Sequence, residues 1–110
     1  MTAVRAAALA DVPDGGVLAV EVDGVEVALV RTGDEVLAIR DECSHAAIPL
    51  SEGEVSVGSG GACEIECWLH GSRFDVRSGK PLNLPATEAV PTYPTRIEGS
   101  DVMVDLSAPH

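Results

Sequence analysis

Apolar residues along this chain alternate with polar ones or gather in short unbroken runs, and no stretch repeats them at a helical spacing. Val17 to Val22 and Val25 to Arg31 read as two strands, and the Asp23-Gly24 pair between them favours a two-residue hairpin turn. Thr32-Gly33-Asp34 then turns the chain into a third strand, Val36 to Arg40. Valine fills these runs, which suits a pleated, half-buried surface. The alternation lapses from Asp41 to Leu50, which reads as a loop. A further strand is predicted at Glu54 to Val57, followed by Gly58-Ser59-Gly60-Gly61 as a surface turn. Glu64 to Trp68 reads as another strand and Ser78-Gly79-Lys80-Pro81 as another turn. After a proline-punctuated stretch through Pro94, Thr95 to Glu98 and Val102 to Leu106 alternate around Gly99-Ser100. Short strands with turns at regular intervals predict an all-β fold of antiparallel sheets, a sandwich or a barrel.

Composition narrows this picture. The 110 residues suffice for one domain, 1–110, without a linker or an internal repeat. Only 3% of the residues are aromatic, so the core must rest on Val, Leu, Ile and Ala. Burial is modest at this size, and a metal centre tying loops together would help to hold the fold. Seven basic against eighteen acidic residues give a formal charge of −11. Such a surface repels nucleic acid and anionic membrane and favours a partner with a basic docking patch, although a solvated acidic coat accounts for the charge equally well. Three cysteines cannot make a full disulfide set, and two of them lie beside histidines, which reads as metal binding in a reducing compartment. The Ala/Leu run after Arg5 is too short for a secretion signal, and no segment reaches the length of a membrane span. A monomeric, cytoplasmic protein is the expectation.

The chemistry concentrates in two short motifs, Cys43-Ser44-His45 and Cys67-Trp68-Leu69-His70. Each places a thiolate and an imidazole within a few residues, in a predicted loop that follows a strand. Two such loops from adjoining hairpins can clamp one inorganic centre, with Cys43, His45, Cys67 and His70 as ligands. For iron this set suits a [2Fe–2S] cluster with two thiolates on one iron and two imidazoles on the other. Two ferric ions, two sulfides and two thiolates sum to zero charge, and reduction adds one negative charge, so a shallow burial without a counter-ion is tolerable. Zinc accepts the same donors. Common zinc motifs pair Cys with Cys and His with His, whereas each half here is mixed, and that weighs toward iron.

Taken together, the motifs resemble the Rieske ferredoxins that serve non-haem iron oxygenases. The resemblance runs through Cys43-Ser44-His45 with Leu50 and Gly53, then Cys67-Trp68-Leu69-His70-Gly71-Ser72-Arg73-Phe74-Asp75. It continues in Gly79-Lys80-Pro81, the proline-bearing Leu84-Pro85-Ala86, and the closing segment around Tyr93, Ile97-Glu98-Gly99 and Val102. More narrowly, the chain looks like actinobacterial-type ferredoxins encoded beside iron–sulfur assembly genes. The resemblance implies a three-sheet Rieske fold with two cluster-binding loops at one tip, one [2Fe–2S] cluster beneath the loop bearing Pro85, and exposed edges on both ligand histidines. Three departures stand out. The gap between His45 and Cys67 is long, with Gly58 to Gly61 carrying the excess. Trp68 stands where proline is common, either shielding the cluster or simply packing the loop. Ala47 and Leu69 occupy the places of the disulfide cysteines found in high-potential relatives.

The resemblance also assigns the neighbours of the cluster. Ser72 would donate its hydroxyl to a bridging sulfide, while Phe74 replaces a tyrosine that donates to a ligand sulfur, so a low to intermediate potential is expected. Backbone N–H groups near Gly71 would point at sulfur; a tight turn is the plainer reading of that glycine. Ile48, Pro49, Leu50 and Leu69 would form an apolar collar, and Arg73 would pair with an acidic neighbour. Cys63 reads as an ordinary strand or loop residue, His110 as a terminal residue without a role, and Asp41 and Glu42 as an acidic loop that either shapes docking or is merely solvated. The function implied is an electron shuttle that performs no bond-making chemistry, reduced by a flavoprotein reductase and oxidised by an oxygenase or similar acceptor. An accessory of iron–sulfur assembly, and a zinc-bound or redox-silent binding module, are the alternatives.

Overall fold

The computed structural model describes residues 3–33, 35–42, 49–57, 63–67, 71–83 and 88–106. Among these the chain forms ten strands: β1 (Ala3–Ala8), β2 (Val17–Val22), β3 (Val25–Thr32), β4 (Glu35–Arg40), β5 (Glu54–Val57), β6 (Cys63–Glu66), β7 (Arg73–Asp75), β8 (Thr92–Tyr93), β9 (Thr95–Glu98) and β10 (Asp101–Asp105). They pair antiparallel into three sheets, β1-β10-β9, β2-β3-β4-β8 and β5-β6-β7. Single-turn 3-10 helices at Leu9–Asp11 and Leu50–Glu52 complete the described helical structure. This is the all-β, antiparallel architecture that the hydrophobic alternation implies.

The second sheet lies between the other two, and β3 shows why. Its residues are buried on both faces: Val27 and Leu29 join a core with Ala7, Val102 and Val104 of the first sheet, while Ala28 and Val30 join one with Ile65 and Phe74 of the third. A strand covered on both sides reads as a continuous apolar run, which is the pattern of Val27-Ala28-Leu29-Val30. β2 and β3 meet at Asp23 and Gly24, with φ of 50° and 82°, the type I′ geometry whose twist matches the flanking strands.

Three features differ from the expected strand pattern. β1 falls where the sequence shows an alanine-rich run; it pairs with β10 from Ala3↔Asp105 to Ala8↔Asp101, and that pairing overrides the low strand preference of alanine. β7 and β8, of three and two residues, are too short to show a period, and β8 sits inside the proline-punctuated stretch. β6 begins at Cys63 and ends at Glu66, so Cys67 follows the strand instead of lying within it.

Candidate metal centre

The third sheet aims the second motif. Cys63, Ile65 and Cys67 alternate with Glu64 and Glu66, so all three turn toward the apolar core while the two carboxylates face outward. Val55, Ile65 and Phe74 form a cross-strand row on this inner face. Cys67, two residues beyond Ile65, is 1% exposed. Of the predicted ligands it is the one among the described residues; Cys43, His45 and His70 lie outside them, as do Trp68, Pro85, Ala47, Ile48, Leu69, Gly58 to Gly61 and His110.

Backbone hydrogen bonds tie down the chain on both sides of the second motif. The Cys67 N–H donates to the Ser72 carbonyl at 2.7 Å, and the Gly71 N–H donates to the Cys67 carbonyl at 3.0 Å. Gly71 has φ +73°, a conformation that glycine adopts without steric cost. Its own amide is thus engaged in a tight turn, the plainer of the two expectations for this residue. Ser72 is fully buried beside Cys67. The Asn83 side chain accepts the Arg73 N–H at 2.6 Å and donates to the Gly71 carbonyl at 3.0 Å, bracing the turn from outside. Arg73 faces its cross-strand partner Glu66 at 3.9 Å, an exposed ion pair that supplies the acidic neighbour left unnamed by the sequence.

The arms of the first motif's loop converge on the same place. Asp41, two residues before Cys43, is buried; its carboxylate accepts the Ser51 N–H and the Ser51 hydroxyl, both at 2.7 Å. This corrects the reading of Asp41 as a merely solvated residue. Leu50 is fully buried in the same apolar core as Cys67, and Pro49 is half-buried. Gly53 packs so closely on β6 that a Cβ there would overlap the Glu66 carbonyl. Beside the first arm, Glu21, Glu26, Asp41 and Glu42 line a groove of about 330 Å³ together with Arg40 and Tyr93. Cys63 is a buried strand residue, and burial raises the pKa of its thiol in spite of the nearby Arg77 charge.

Comparison with known proteins decides what this frame holds. The sequence profile of the Rieske [2Fe–2S] domain matches residues 2–94. The chain belongs to the Rieske [2Fe–2S] family. The ferredoxin component of the naphthalene 1,2-dioxygenase system of Pseudomonas aeruginosa is 43% identical over 104 residues, covering 94% of this chain and 95% of its own. The solved ferredoxin of carbazole 1,9a-dioxygenase from Nocardioides aromaticivorans IC177 superposes with a TM-score of 0.86 at 43% identity, over 94% of this chain and 97% of that one. A chain in the solved complex of reduced oxygenase and oxidized ferredoxin of carbazole 1,9a-dioxygenase superposes with a TM-score of 0.81 at 30% identity, over 93% and 91%.

The family's cofactor is a [2Fe–2S] cluster, and the described part of this Rieske site fits it. A cysteine sulfur is buried at the rim of an apolar core, a glycine turn closes behind it, and a fully buried serine adjoins it. Apolar surroundings suit a cluster whose oxidised core and thiolates carry no net charge. Sequence reasoning missed Asn83 and the Asp41–Ser51 contact, since each partner lies ten or more residues away and neither belongs to a recognisable motif. Asp41 did carry a weak signal: it stands two residues after the buried Ile39, on the inward phase of β4.

Proposed function

We propose that this protein is a single-electron carrier whose cluster is held by Cys43, His45, Cys67 and His70 and passes electrons from a flavoprotein reductase to a non-haem iron oxygenase. The observation that carries this reading is the end-to-end match, over nearly the whole of both chains, to the ferredoxin component of a dioxygenase system. A carbazole dioxygenase ferredoxin of the same fold has been solved bound to its oxygenase, which supports an oxygenase as acceptor here.

The ligand assignment rests on the two mixed motifs. Each loop would supply one thiolate and one imidazole to the cluster. When bound, the cluster supplies a one-electron couple, and the protein makes and breaks no substrate bonds itself. Its residues set the surroundings of the couple: Cys67 is held by the turn closing at Gly71 and Ser72, and Phe74 packs in the same apolar group. Ser72, Trp68 and Pro85 complete the proposed immediate neighbours. The chain works as one domain, monomeric and cytoplasmic. None of the described helices is long and apolar enough to cross a membrane.

Stopped-flow mixing tests the proposal. A flavoprotein reductase of an aromatic-ring dioxygenase system should reduce the protein, and its oxygenase should reoxidise it, with the cluster retained through repeated cycles. Loss of the cluster to an apo-acceptor, without electron delivery to the oxygenase, would contradict the carrier role and favour one in iron–sulfur assembly.

A further inference from the structure

We propose that Asp41 is a positioning residue that, by gripping Ser51, fixes the two arms of the first ligand loop and sets Cys43 in register with Cys67. The inference rests on the reading of those cysteines as ligands of one iron, and concerns what holds them at the right separation.

The geometry forms a continuous path. The Asp41 N–H donates to the Glu26 carbonyl of β3 at 3.0 Å, which anchors the outgoing arm to the middle sheet. Its carboxylate reaches across ten residues of sequence and takes both donors of Ser51 at 2.7 Å. A carboxylate only 6% exposed is costly unless hydrogen-bonded, and these short charge-assisted bonds meet that cost. Ser51 sits in the Leu50–Glu52 turn, which is closed by the Gly53 N–H on the Leu50 carbonyl at 2.9 Å and seated by the buried Leu50. Gly53 then abuts the Glu66 carbonyl with no room for a side chain, and Glu66 is bonded directly to Cys67. Each link from Asp41 to Cys67 is therefore a covalent bond, a short hydrogen bond or a close backbone contact. Cys43 extends from one end of this path by two residues and Cys67 from the other by one. A loop spanning that interval without the clamp would have to lose its conformational freedom to the ligand bonds alone.

Holoprotein variants challenged with an iron chelator, well below the unfolding temperature, test this. Asp41→Ala should lose its cluster about 10–100-fold faster than wild type, the range typical for residues that orient metal ligands, with a shifted electron paramagnetic resonance (EPR) spectrum in the reduced state. Ser51→Ala, which removes one bond and no charge, should fall between the two and decides the matter if Asp41→Ala fails to fold. Ser51→Thr should restore the wild-type rate. Hydrogen exchange of the β3 and β10 core amides should be unchanged in all three. A wild-type rate of loss and spectrum in both Asp41→Ala and Ser51→Ala, or core exchange that accelerates in step with cluster loss, overturns the proposal. Cys43→Ser separates the two readings, because a variant that keeps a wild-type cluster refutes the ligand assignment whatever Asp41 does.

Discussion

Phe74 is the residue at which composition and redox tuning meet. It is the chain's single phenylalanine, fully buried opposite Ile65 in the apolar group that contains Cys67. A phenyl ring offers no donor to a ligand sulfur, whereas a tyrosine hydroxyl aimed there would stabilise the reduced, more negative cluster. Phe74→Tyr should therefore raise the reduction potential in a redox titration; an unchanged or lower value contradicts this role. If the hydroxyl finds no partner, burying it costs roughly 1–3 kcal/mol, which denaturant unfolding would register. The motifs make the ligand candidates legible because metal chemistry demands particular side chains at short spacings. The alternation of Cys63, Ile65 and Cys67 also foretells which way the last of them faces. Asp41 was legible only through its phase after Ile39, since an aspartate in a loop before a motif otherwise looks the same whether solvated or gripped by a serine ten residues on.

At the scale of elements, the strands with clean alternation were legible and those defined by their partners were not. β2, β3, β5 and β10 follow the valine-rich pattern and its turn residues, but β1 is a strand because β10 is beside it. Two contacts at this scale give tests. Gly53→Ala forces β5 away from the Glu66 carbonyl, and the resulting backbone shift should cost about 1–3 kcal/mol in denaturant unfolding; an unperturbed midpoint would show that the close approach is not maintained. Arg77, after β7, grips Glu35 of β4 with bonds of 2.7 and 3.0 Å, joining the cluster-bearing sheet to the middle one. That hydrogen bond and the Arg77 charge hold the Glu35 carboxyl below its ordinary value of 4.5. A lowered carboxyl stabilises the fold at pH above that ordinary value, and the contribution is lost as pH falls through the lowered one. The pair is largely solvent-exposed, so a double-mutant cycle at neutral pH should give no more than about 1 kcal/mol, vanishing in strong acid. Coupling that persists there would mean the contact is not ionic.

The whole molecule carries a formal charge of −11, and part of it lines the groove of Glu21, Glu26, Asp41 and Glu42 beside the first ligand loop. Such a field steers a basic partner and fades as salt shortens the Debye length from about 30 Å at 0.01 M to about 8 Å at 0.15 M. The second-order rate of electron exchange with a reductase or oxygenase should fall roughly tenfold or more over that range, and a flat salt dependence would indicate docking through apolar contacts. The fold class was readable at this scale because β-period patterning dominates the chain. The sharing of one middle sheet between two cores was readable only in the unbroken run of β3. What those sheets carry is a [2Fe–2S] centre. Iron and acid-labile sulfide analysis of the purified protein, read together with EPR spectroscopy before and after reduction, tests it most directly. The protein should be red-brown, with the two irons and two sulfides of a [2Fe–2S] cluster, and EPR-silent until reduced. Colourless protein holding stoichiometric zinc would contradict it.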